Sequence, residues 1–268
     1  MSEQSQRYLE FITKVLAGAK CKPRGEEIIE IHDVPLVVDP HVPFMFFKAR
    51  KYPLLYFKQE MLWKLTADPY NDSIKEHATM WASVQNPDKS FFSNYGQYWF
   101  GEQMGIWHVV MELIRDNDSR RAVIPMLSAK HLAPGVRDTV CTESVGFRIR
   151  GNELSMSIHM RSSDVIFGLG TDIPTFACLY RLVYGLLRGF GLPVCTGMMT
   201  ITSMSSHIYK KHWKMAENMI FEGDGGFTHV SMPWCKAPEA AHIIASRGKF
   251  EYPSNMPLTS WLLSQDKV

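Results

Sequence analysis

The sequence lacks a long apolar run and any closely spaced pair of cysteines. Its 268 residues contain five cysteines, none in a CxxC pair, and this odd, scattered set is typical of reduced thiols rather than of a disulfide framework. Arg181 and Arg188 interrupt the most apolar region, so no segment reaches the roughly 18 apolar residues of a membrane helix. The first residues carry both charges, unlike a signal peptide. We therefore expect a cytoplasmic protein that does not cross a membrane.

Charge of one sign is also scarce. The chain has 29 basic and 27 acidic residues and a net charge of +2, and no run of like charge is long enough for a nucleic-acid-binding tail. We expect no polymeric nucleic acid as a partner and no bound metal ion. Internal repeats, low-complexity stretches and linkers are absent as well. With 46% hydrophobic residues the chain can bury a substantial core, and residues 1–268 are predicted to form one domain.

Periodic apolar residues predict the secondary structure. A spacing near 3.6 predicts helices over residues 5–18, 54–66, 73–84, 101–116 (with Met104 on the apolar face), 173–190 and 207–221. β-branched or Thr- and Met-rich stretches predict strands over residues 27–38, 122–127 and 195–205. The clearest local signal is a hairpin, in which apolar residues alternate from Val145 to Ile149 and from Leu154 to Met160, on either side of Gly151-Asn152. These elements predict a mixed α/β (α+β) domain with a substantial sheet packed with helices.

Polar residues are dense between residues 120 and 172, next to the predicted strands. Arg120 and Arg121 precede one strand, Cys141 opens the hairpin, and Arg161-Ser162-Ser163-Asp164 closes it. Several guanidinium groups would suit an anion, since their planar fork matches phosphate oxygens. Taken alone, however, Arg120 and Arg121 fit an exposed corner. An isolated cysteine such as Cys141 is more often a small buried apolar residue than a nucleophile.

One ordered set of motifs runs through most of the chain. Cys141 is followed after twenty residues by Arg161-Ser162-Ser163-Asp164-Val165, and then by Gly168, Asp172 and His207-Ile208-Tyr209. Earlier segments that fit the same order are Glu60-Met61-Leu62-Trp63, Asn94-Tyr95-Gly96 and Ser119-Arg120-Arg121. This order resembles the thymidylate synthase family over roughly residues 20 to 220, and so many spaced elements rarely coincide by chance. The resemblance implies the thymidylate synthase-like fold, with a face of the sheet forming the interface of a homodimer.

Within that family, the sequence around Cys141 resembles the phage-type deoxycytidylate hydroxymethylases. Asp138-Thr139-Val140-Cys141-Thr142 lacks the proline-rich lead and the following histidine of ordinary synthases. The segment 122–127 replaces the tryptophan and asparagine that commonly follow the paired arginines there. The resemblance implies a dCMP 5-hydroxymethyltransferase, which transfers a one-carbon unit from 5,10-methylenetetrahydrofolate to carbon 5 of a cytosine nucleotide. The pyrimidine nucleoside monophosphate and the folate are the implied partners.

Asp172 stands where a uracil-specific member of the family has asparagine. An asparagine amide can donate to oxygen 4 of uracil and accept from the hydrogen on nitrogen 3. Cytosine reverses both demands, so a carboxyl group that accepts from the exocyclic amine and shares a proton with nitrogen 3 is complementary. On this hypothesis Asp172 recognises cytosine. The alternative is that Asp172 is the N-cap of a helix that begins with Ile173-Pro174.

The resemblance also implies a chemical role for the other motif residues. The Cys141 thiolate would add to carbon 6 of the base, and a nearby cation such as Arg161 would favour the thiolate. Glu60 would organise water and proton transfer around the ring. The phosphate ligands would be Arg161, Ser162 and, from the neighbouring subunit of the homodimer, Arg120 and Arg121.

Sugar and folate contacts follow from the same resemblance. His207 and Tyr209 would hydrogen-bond the sugar hydroxyl, although a histidine at a strand-to-helix junction also fits a capping or packing role. The folate would contact Trp81, Asp164 and Gly168. A further phosphate-binding cation is expected before the first strand, where Lys22 and Arg24 are both candidates.

Other activities on the same fold remain open at this point. If hydride rather than water reached the one-carbon unit, the product would be methylated, as in a deoxycytidylate methylase or a thymidylate synthase. A CMP hydroxymethylase would share Cys141 and Asp172. A family member that only binds nucleotide or RNA would have no need of the Cys141 thiol.

Overall fold

The computed structural model describes residues 2–101, 105–224, 230–250 and 255–265. Among these residues the α-helices are α1 (Glu3–Leu16), α2 (Leu54–Leu65), α3 (Met80–Val84), α4 (Gly96–Trp99), α5 (Ile106–Arg115), α6 (Gly168–Gly189), α7 (Trp213–Glu222), α8 (Ala237–Ser246) and α9 (Pro257–Leu263). The strands are β1 (Ala19–Cys21), β2 (Ile28–Ile31), β3 (Leu36–Val38), β4 (Val123–Pro125), β5 (Thr142–Arg150), β6 (Glu153–Met160), β7 (Ser163–Asp164), β8 (Cys195–Ser203) and β9 (Ser206–Tyr209).

Two sheets form the framework. One has five strands in the order β3-β8-β6-β5-β4, and the other has four in the order β1-β2-β9-β7. Parallel pairing joins β6 to β8 and β7 to β9. The predicted hairpin is confirmed as β5 and β6, in which Val145 lies opposite Ile158 and Phe147 opposite Met156. The mixed α+β class predicted from the sequence is confirmed.

The predicted strand over residues 27–38 is in fact two strands in different sheets. β2 ends at Ile31, and β3 begins at Leu36. Between them Asp33 has a φ of 56°, in the left-handed region, and Pro35 has no N–H group to donate to a neighbouring strand. The break sends β2 to the four-stranded sheet and β3 to the five-stranded sheet.

Several helix boundaries also differ from the prediction. Residues 73–84 form a short 3-10 turn (Ser73–Glu76) and α3 instead of one helix. Residues 207–209 belong to β9, and α7 begins only at Trp213. α5 begins at Ile106, and the predicted helical residues 102–104, including Met104, lie outside the described residues. α6 begins at Gly168, ahead of the predicted start at residue 173.

α6 is the central element of the apolar core. The hydroxyl of Tyr180 donates to the carbonyl oxygen of Leu154 at 2.6 Å and accepts from the N–H of Gly197 at 3.1 Å, which fixes α6 to β6 and β8. α8 packs against α6 as well, and the N-terminal end of α6 contacts β7. Although α6 has 22 residues, neither it nor any other described helix is both long and apolar enough to cross a membrane.

The five-stranded sheet has one buried face and one face that no described helix covers fully. On β5, Val145, Phe147 and Ile149 are buried, whereas the intervening Arg148 is exposed. Val37 on β3 is 39% exposed.

Candidate active site

Two pockets that share one residue lie beside the four-stranded sheet, and the second of them also reaches the N-terminal end of α6. The first, with a volume of about 410 Å³, we call the arginine pocket, and its lining includes Arg24, Arg161, Ser162 and His207. The second, about 770 Å³, we call the carboxylate pocket, and its lining includes Glu60, Trp81, Asp164, Gly168 and Asp172. Tyr209 lines both. The fold therefore brings most of the predicted site residues together.

Cys141 lies immediately before β5, and Arg161 holds it from the end of β6. The N–H of Arg161 donates to the carbonyl oxygen of Cys141 at 2.8 Å, and Nη2 of Arg161 lies 3.6 Å from Sγ. The same guanidinium donates to the carbonyl oxygens of Thr139 and Val140 at 2.8 and 2.9 Å. Burial raises the pKa of the Cys141 thiol, and the charge of Arg161 opposes that rise only in part. Cys141 itself is in the lining of neither pocket, but its partner Arg161 lines the arginine pocket. Arg161 is thus positioned to favour the thiolate, although the raised pKa leaves Cys141 a thiol near neutral pH.

Arg24 supplies the second cation of the arginine pocket. It lies in the 3-10 turn Pro23–Gly25 with a φ of 52°, a left-handed conformation that residues other than glycine seldom adopt. This turn brings Arg24 into the lining of the pocket, and Lys22 is not part of that lining. The charge of Arg24 lowers the pKa values of Cys141 and His207. Of the two cations that the sequence left open, the structure favours Arg24.

His207 lies within β9, opposite Glu30 of β2, and not at the predicted junction between a strand and a helix. Burial lowers the pKa of His207, so the imidazole is neutral near pH 7. Its ring packs edge-on against the ring of Tyr209, with centroids 5.0 Å apart. Residues two apart on a strand point to the same face. His207 and Tyr209 therefore both reach the arginine pocket.

Glu60 lies on α2 and forms a buried ion pair with Lys64. Oε1 of Glu60 is 2.8 Å from Nζ of Lys64, and the lysine and glutamate side chains are only 3% and 9% exposed. The i,i+4 spacing puts both on one face of the helix. Lys64 also donates to Oγ1 of Thr175 at 3.3 Å and lies 4.9 Å from the centre of the Tyr95 ring. Glu60 thus faces the carboxylate pocket with a fixed counter-ion.

Trp81 forms one wall of the carboxylate pocket. Its indole packs against Trp63 and Phe91, at centroid distances of 5.1 and 5.8 Å, and Nε1 donates to the hydroxyl of Tyr56 at 3.0 Å. Aromatic packing and this hydrogen bond fix the plane of the ring. The wall is therefore rigid before any ligand binds.

Asp164 and Gly168 lie at the N-terminal end of α6. Oδ1 of Asp164 accepts from the N–H of Ile166 at 3.0 Å, which orients the carboxylate. A Cβ added to Gly168 would lie 3.5 Å from Cβ of Asp164 and 3.9 Å from Oδ2 of Asp172. Because glycine has no side chain, the space between the two carboxyl groups stays open to a ligand.

Asp172 lies inside α6, whose N-cap is Phe167, so the alternative that Asp172 is the N-cap is wrong. Burial raises the pKa of its carboxyl to about 7; Glu60 and Asp164 act in the same direction, and the charge of Lys64 opposes them. Near neutral pH the protonated and the ionised carboxyl are both populated. Asp172 can therefore donate one hydrogen bond and accept another.

Arg120 and Arg121 lie in neither pocket. Both are exposed, and they line a separate surface depression together with Glu112 and Ser119. The N–H of Arg121 donates to Oγ of Ser119 at 3.1 Å, and Ser119 in turn donates to Glu112 at 2.6 Å. Within one chain the structure does not bring these arginines together with Cys141.

Some residues of the site were not predicted from the sequence. Tyr56 and Arg50 also line the carboxylate pocket, and Lys64 pairs with Glu60 below it. Tyr56 and Lys64 each lie four residues from Glu60 on a predicted helix, and this spacing could have identified them. Arg50 precedes that helix, in a segment without periodicity. In the part of the chain that the structure describes, no cluster of three or more metal-ligating side chains occurs.

The sequence pattern that defines the thymidylate synthase family matches residues 6–234, and the chain belongs to that family. Its members are folate-dependent one-carbon transferases that bind a pyrimidine nucleotide and use methylenetetrahydrofolate as co-substrate. The fold prediction and the family resemblance stated from the sequence are thereby confirmed.

Phage deoxycytidylate hydroxymethyltransferases and bacterial thymidylate synthases are both among the proteins to which the chain is similar. The Deoxycytidylate 5-hydroxymethyltransferase of Enterobacteria phage T4 is 26% identical over 216 residues, which cover 77% of this chain and 85% of the phage protein. The corresponding protein of phage T6 is 27% identical over 216 residues, with 75% and 86% covered. The Thymidylate synthase of Buchnera aphidicola (strain APS) is 24% identical over 225 residues, with 80% and 83% covered.

Proposed function

We propose that this protein is a dCMP 5-hydroxymethyltransferase. It transfers a one-carbon unit from methylenetetrahydrofolate to carbon 5 of a cytosine nucleotide through a covalent adduct of Cys141, and then adds water. The observation that carries the proposal is the carboxyl of Asp172 in the carboxylate pocket, with a pKa of about 7. The names of the phage relatives support the same reaction.

The protonated carboxyl of Asp172 matches the pairing edge of cytosine. Its O–H donates to nitrogen 3, and its other oxygen accepts from the exocyclic amine. Uracil presents an N–H at position 3 and a carbonyl at position 4, so both hydrogen bonds would be mismatched while the proton stays on the Asp172 oxygen that faces position 3. Buried polar groups left unpaired in this way produce strong discrimination between similar substrates. Asp172 is therefore assigned to the choice of base.

Cys141 is assigned as the nucleophile. Its sulfur attacks carbon 6 as the thiolate, which opens the 5,6 double bond and makes carbon 5 electron-rich. Methylenetetrahydrofolate, when bound, supplies a one-carbon unit that is already at the oxidation level of the hydroxymethyl product. After carbon 5 has bonded to that unit, its proton leaves toward water held by Glu60, and the bond between the unit and the folate nitrogen breaks, so that tetrahydrofolate departs with that electron pair. Water adds to the methylene that remains on the base, and the sulfur departs as the 5,6 double bond re-forms.

The arginine pocket suits the phosphate and the sugar of the nucleotide. Arg24 and Arg161 offer guanidinium donors and Ser162 a hydroxyl, a set that matches phosphate oxygens. His207 and Tyr209 offer a neutral imidazole and a phenol to the sugar hydroxyl. Arg161 also touches the sulfur of Cys141. One side chain would therefore contact both the phosphate and the nucleophile that attacks carbon 6.

The carboxylate pocket suits the folate. Its volume of about 770 Å³ lies within the range of small-molecule sites. Trp81 offers an aromatic wall, Asp164 offers a carboxylate acceptor for ring N–H groups, and Gly168 leaves room between the acidic groups. These residues are assigned to folate binding.

A homodimer with shared sites, formed through a face of the five-stranded sheet, is part of the proposal. The exposed arginines 120 and 121 and the partly exposed Val37 support it.

One catalytic domain over residues 1–268 is supported by an apolar core that includes both Tyr8 and Leu262. A reactive thiol at Cys141 must stay reduced, which supports a cytoplasmic location.

Mixing two inactive variants is expected to restore activity if sites are shared. In a dimer of one Arg121→Ala chain and one Cys141→Ser chain, one site carries both defects and the other carries neither. Random exchange of subunits therefore gives about one quarter of the wild-type sites. Turnover is measured after co-refolding the two variants, with each variant alone as the control. Activity that stays at the level of the separate variants would show that each subunit supplies its own arginines.

The reaction is tested by its products. Purified protein is given methylenetetrahydrofolate with dCMP, CMP or dUMP, and the nucleotide and folate products are identified by mass spectrometry. Hydroxymethyl-dCMP with tetrahydrofolate is the expected result. A methylated base with dihydrofolate would instead identify a methylase, the activity named in the Buchnera relatives. Hydroxymethyl-CMP as the main product would identify a ribonucleotide enzyme, and nucleotide binding without any product would identify a binding protein.

A further inference from the structure

We propose that Lys64 is a positioning residue that allows Glu60 and Asp172 to act as two different carboxyl groups in one pocket, and that it thereby sets the pH range in which cytosine is preferred. This inference rests on the proposed function, because it takes Asp172 as the residue that recognises the base.

Lys64 links the two helices that carry these carboxyl groups. On α2 its Nζ contacts Glu60 at 2.8 Å, and on α6 it donates to Oγ1 of Thr175 at 3.3 Å. The lysine side chain is 3% exposed, and a buried ammonium is tolerated only when it is paired. Asp172 forms no ion pair with a described residue. The lysine therefore contacts one carboxyl group and acts on the other only through space.

This asymmetry separates the roles of the two carboxyl groups. Two carboxylates that share a pocket repel each other and tend to hold one proton between them. The ammonium of Lys64 lies against Glu60, so the negative charge is stabilised there. The charge of Lys64 lowers the pKa of Asp172, whereas the charge of Glu60 raises it. The shared proton is thus left on Asp172, the carboxyl group that must donate to cytosine.

The other titratable groups around Lys64 stay neutral near pH 7. The groups that face it are Glu60 on α2, Asp172 and Cys178 on α6, and Tyr95 before α4. Burial raises the pKa of Cys178 to about 12 and that of Tyr95 well above its ordinary value. Asp164, on the far side of Asp172, raises the pKa of Asp172 further. Around Asp172 itself, burial raises the pKa values of Tyr8, Tyr52, Tyr56 and Cys141, and Arg50 lines the same pocket. Near pH 7 the carboxyl of Asp172 is therefore the group that responds to removal of the lysine.

The experiment compares the binding of dCMP and dUMP as a function of pH. The ratio of the two dissociation constants is measured by calorimetry from about pH 5.5 to about pH 9, because the ionisation of the common phosphate cancels in the ratio. In the wild-type protein the preference for dCMP should be constant at low pH. Above the pKa of Asp172 it should fall by about tenfold per pH unit, as the carboxyl loses the proton that cytosine needs.

Lys64→Met keeps the length of the side chain and removes its charge. The pair of carboxyl groups then holds its proton to higher pH, so the fall in dCMP preference moves upward by about one pH unit or more. Glu60→Gln removes the neighbouring negative charge and should move the fall in the opposite direction. In turnover assays, Lys64→Met should also lower kcat, because Glu60 loses the ion that orients it. Opposite pH shifts in the two variants are a signature that a purely structural lysine would not produce.

Lys58→Met is the matched control. Lys58 is a buried lysine on the same helix, and it donates to Ser264 and lies over the ring of Trp261 instead of facing the pocket. Its removal should leave the pH dependence of the preference unchanged.

Coincident pH profiles for the wild type and Lys64→Met, or shifts of Lys64→Met and Glu60→Gln in one direction, would overturn the assignment. If Lys64→Met does not fold, a Glu60→Gln profile that fails to move to lower pH has the same force. A wild-type protein that prefers dUMP at every pH would instead refute the proposed function, and this result is visible before any variant is compared.

Discussion

Cys141→Ser should lose turnover by on the order of 10⁴-fold or more, because a serine hydroxyl at this position is a far weaker nucleophile than a thiolate and no neighbouring base activates it. Nucleotide affinity should change by only a few-fold, since the carbonyl oxygens of Thr139 and Val140 hold Arg161 in place in addition to its contact with the sulfur. The two quantities are measured separately, kcat by product formation and Kd for dCMP by calorimetry.

Cys195→Ser is the control for this substitution. Cys195 is exposed at the start of β8 and its thiol reaches only the carbonyl oxygen of Asn152, at 3.4 Å. Activity should stay at the wild-type level. Turnover retained by Cys141→Ser would exclude a covalent adduct at this residue and would leave the pockets as a binding site for another kind of chemistry.

Asp172→Asn should reverse the choice of base. An amide cannot give up or take a proton, but it can accept from nitrogen 3 of uracil and donate to oxygen 4. Cytosine would face two mismatched contacts in a buried setting. We expect the ratio of kcat/KM for dCMP to that for dUMP to fall by on the order of 10³-fold. The measurement is that ratio, determined at one pH near neutrality for both nucleotides.

Asp164→Asn provides the comparison for the base switch. Asp164 lines the carboxylate pocket from the end of β7. The proposal assigns it to the folate, so its replacement should lower kcat/KM for both nucleotides by a similar factor. If Asp172→Asn also lowers both equally, the carboxyl of Asp172 serves the stability of α6 and does not read the base.

The sequence predicted those parts of the fold whose signal is local. Alternation from Val145 to Ile149 was enough for the hairpin, because one face of β5 is buried and the other is not. The sequence did not predict the break between β2 and β3. The left-handed φ of Asp33 depends on the pairing of the two strands in different sheets, which local sequence does not specify. The early start of α6 was also missed, because Gly168 and Gly170 disfavour a helix locally and tertiary contacts override them.

For the candidate site, the sequence predicted some residues correctly and did not indicate others. Motif order identified several residues of each pocket, but the sequence did not reveal that Arg120 and Arg121 lie apart from the pockets within one chain. The choice between Lys22 and Arg24 depends on a turn whose backbone conformation is unusual, which no propensity encodes. Lys64 was overlooked because a lysine in an amphipathic helix is ordinarily solvent-exposed.

The pairing of β2 with β9 determines when the site can form during synthesis of the chain. Glu30 lies opposite His207, and Ile28 opposite Tyr209, so one wall of the arginine pocket joins residues from near both ends of the sequence. At the usual rate of translation, the edge of β2 waits about 10 to 35 seconds for its partner strand. Contacts of such long range slow folding and leave an unpaired edge open to aggregation in the meantime. The nucleotide would thus be recognised only after β9 has been synthesised, and its binding would hold together two strands that meet late.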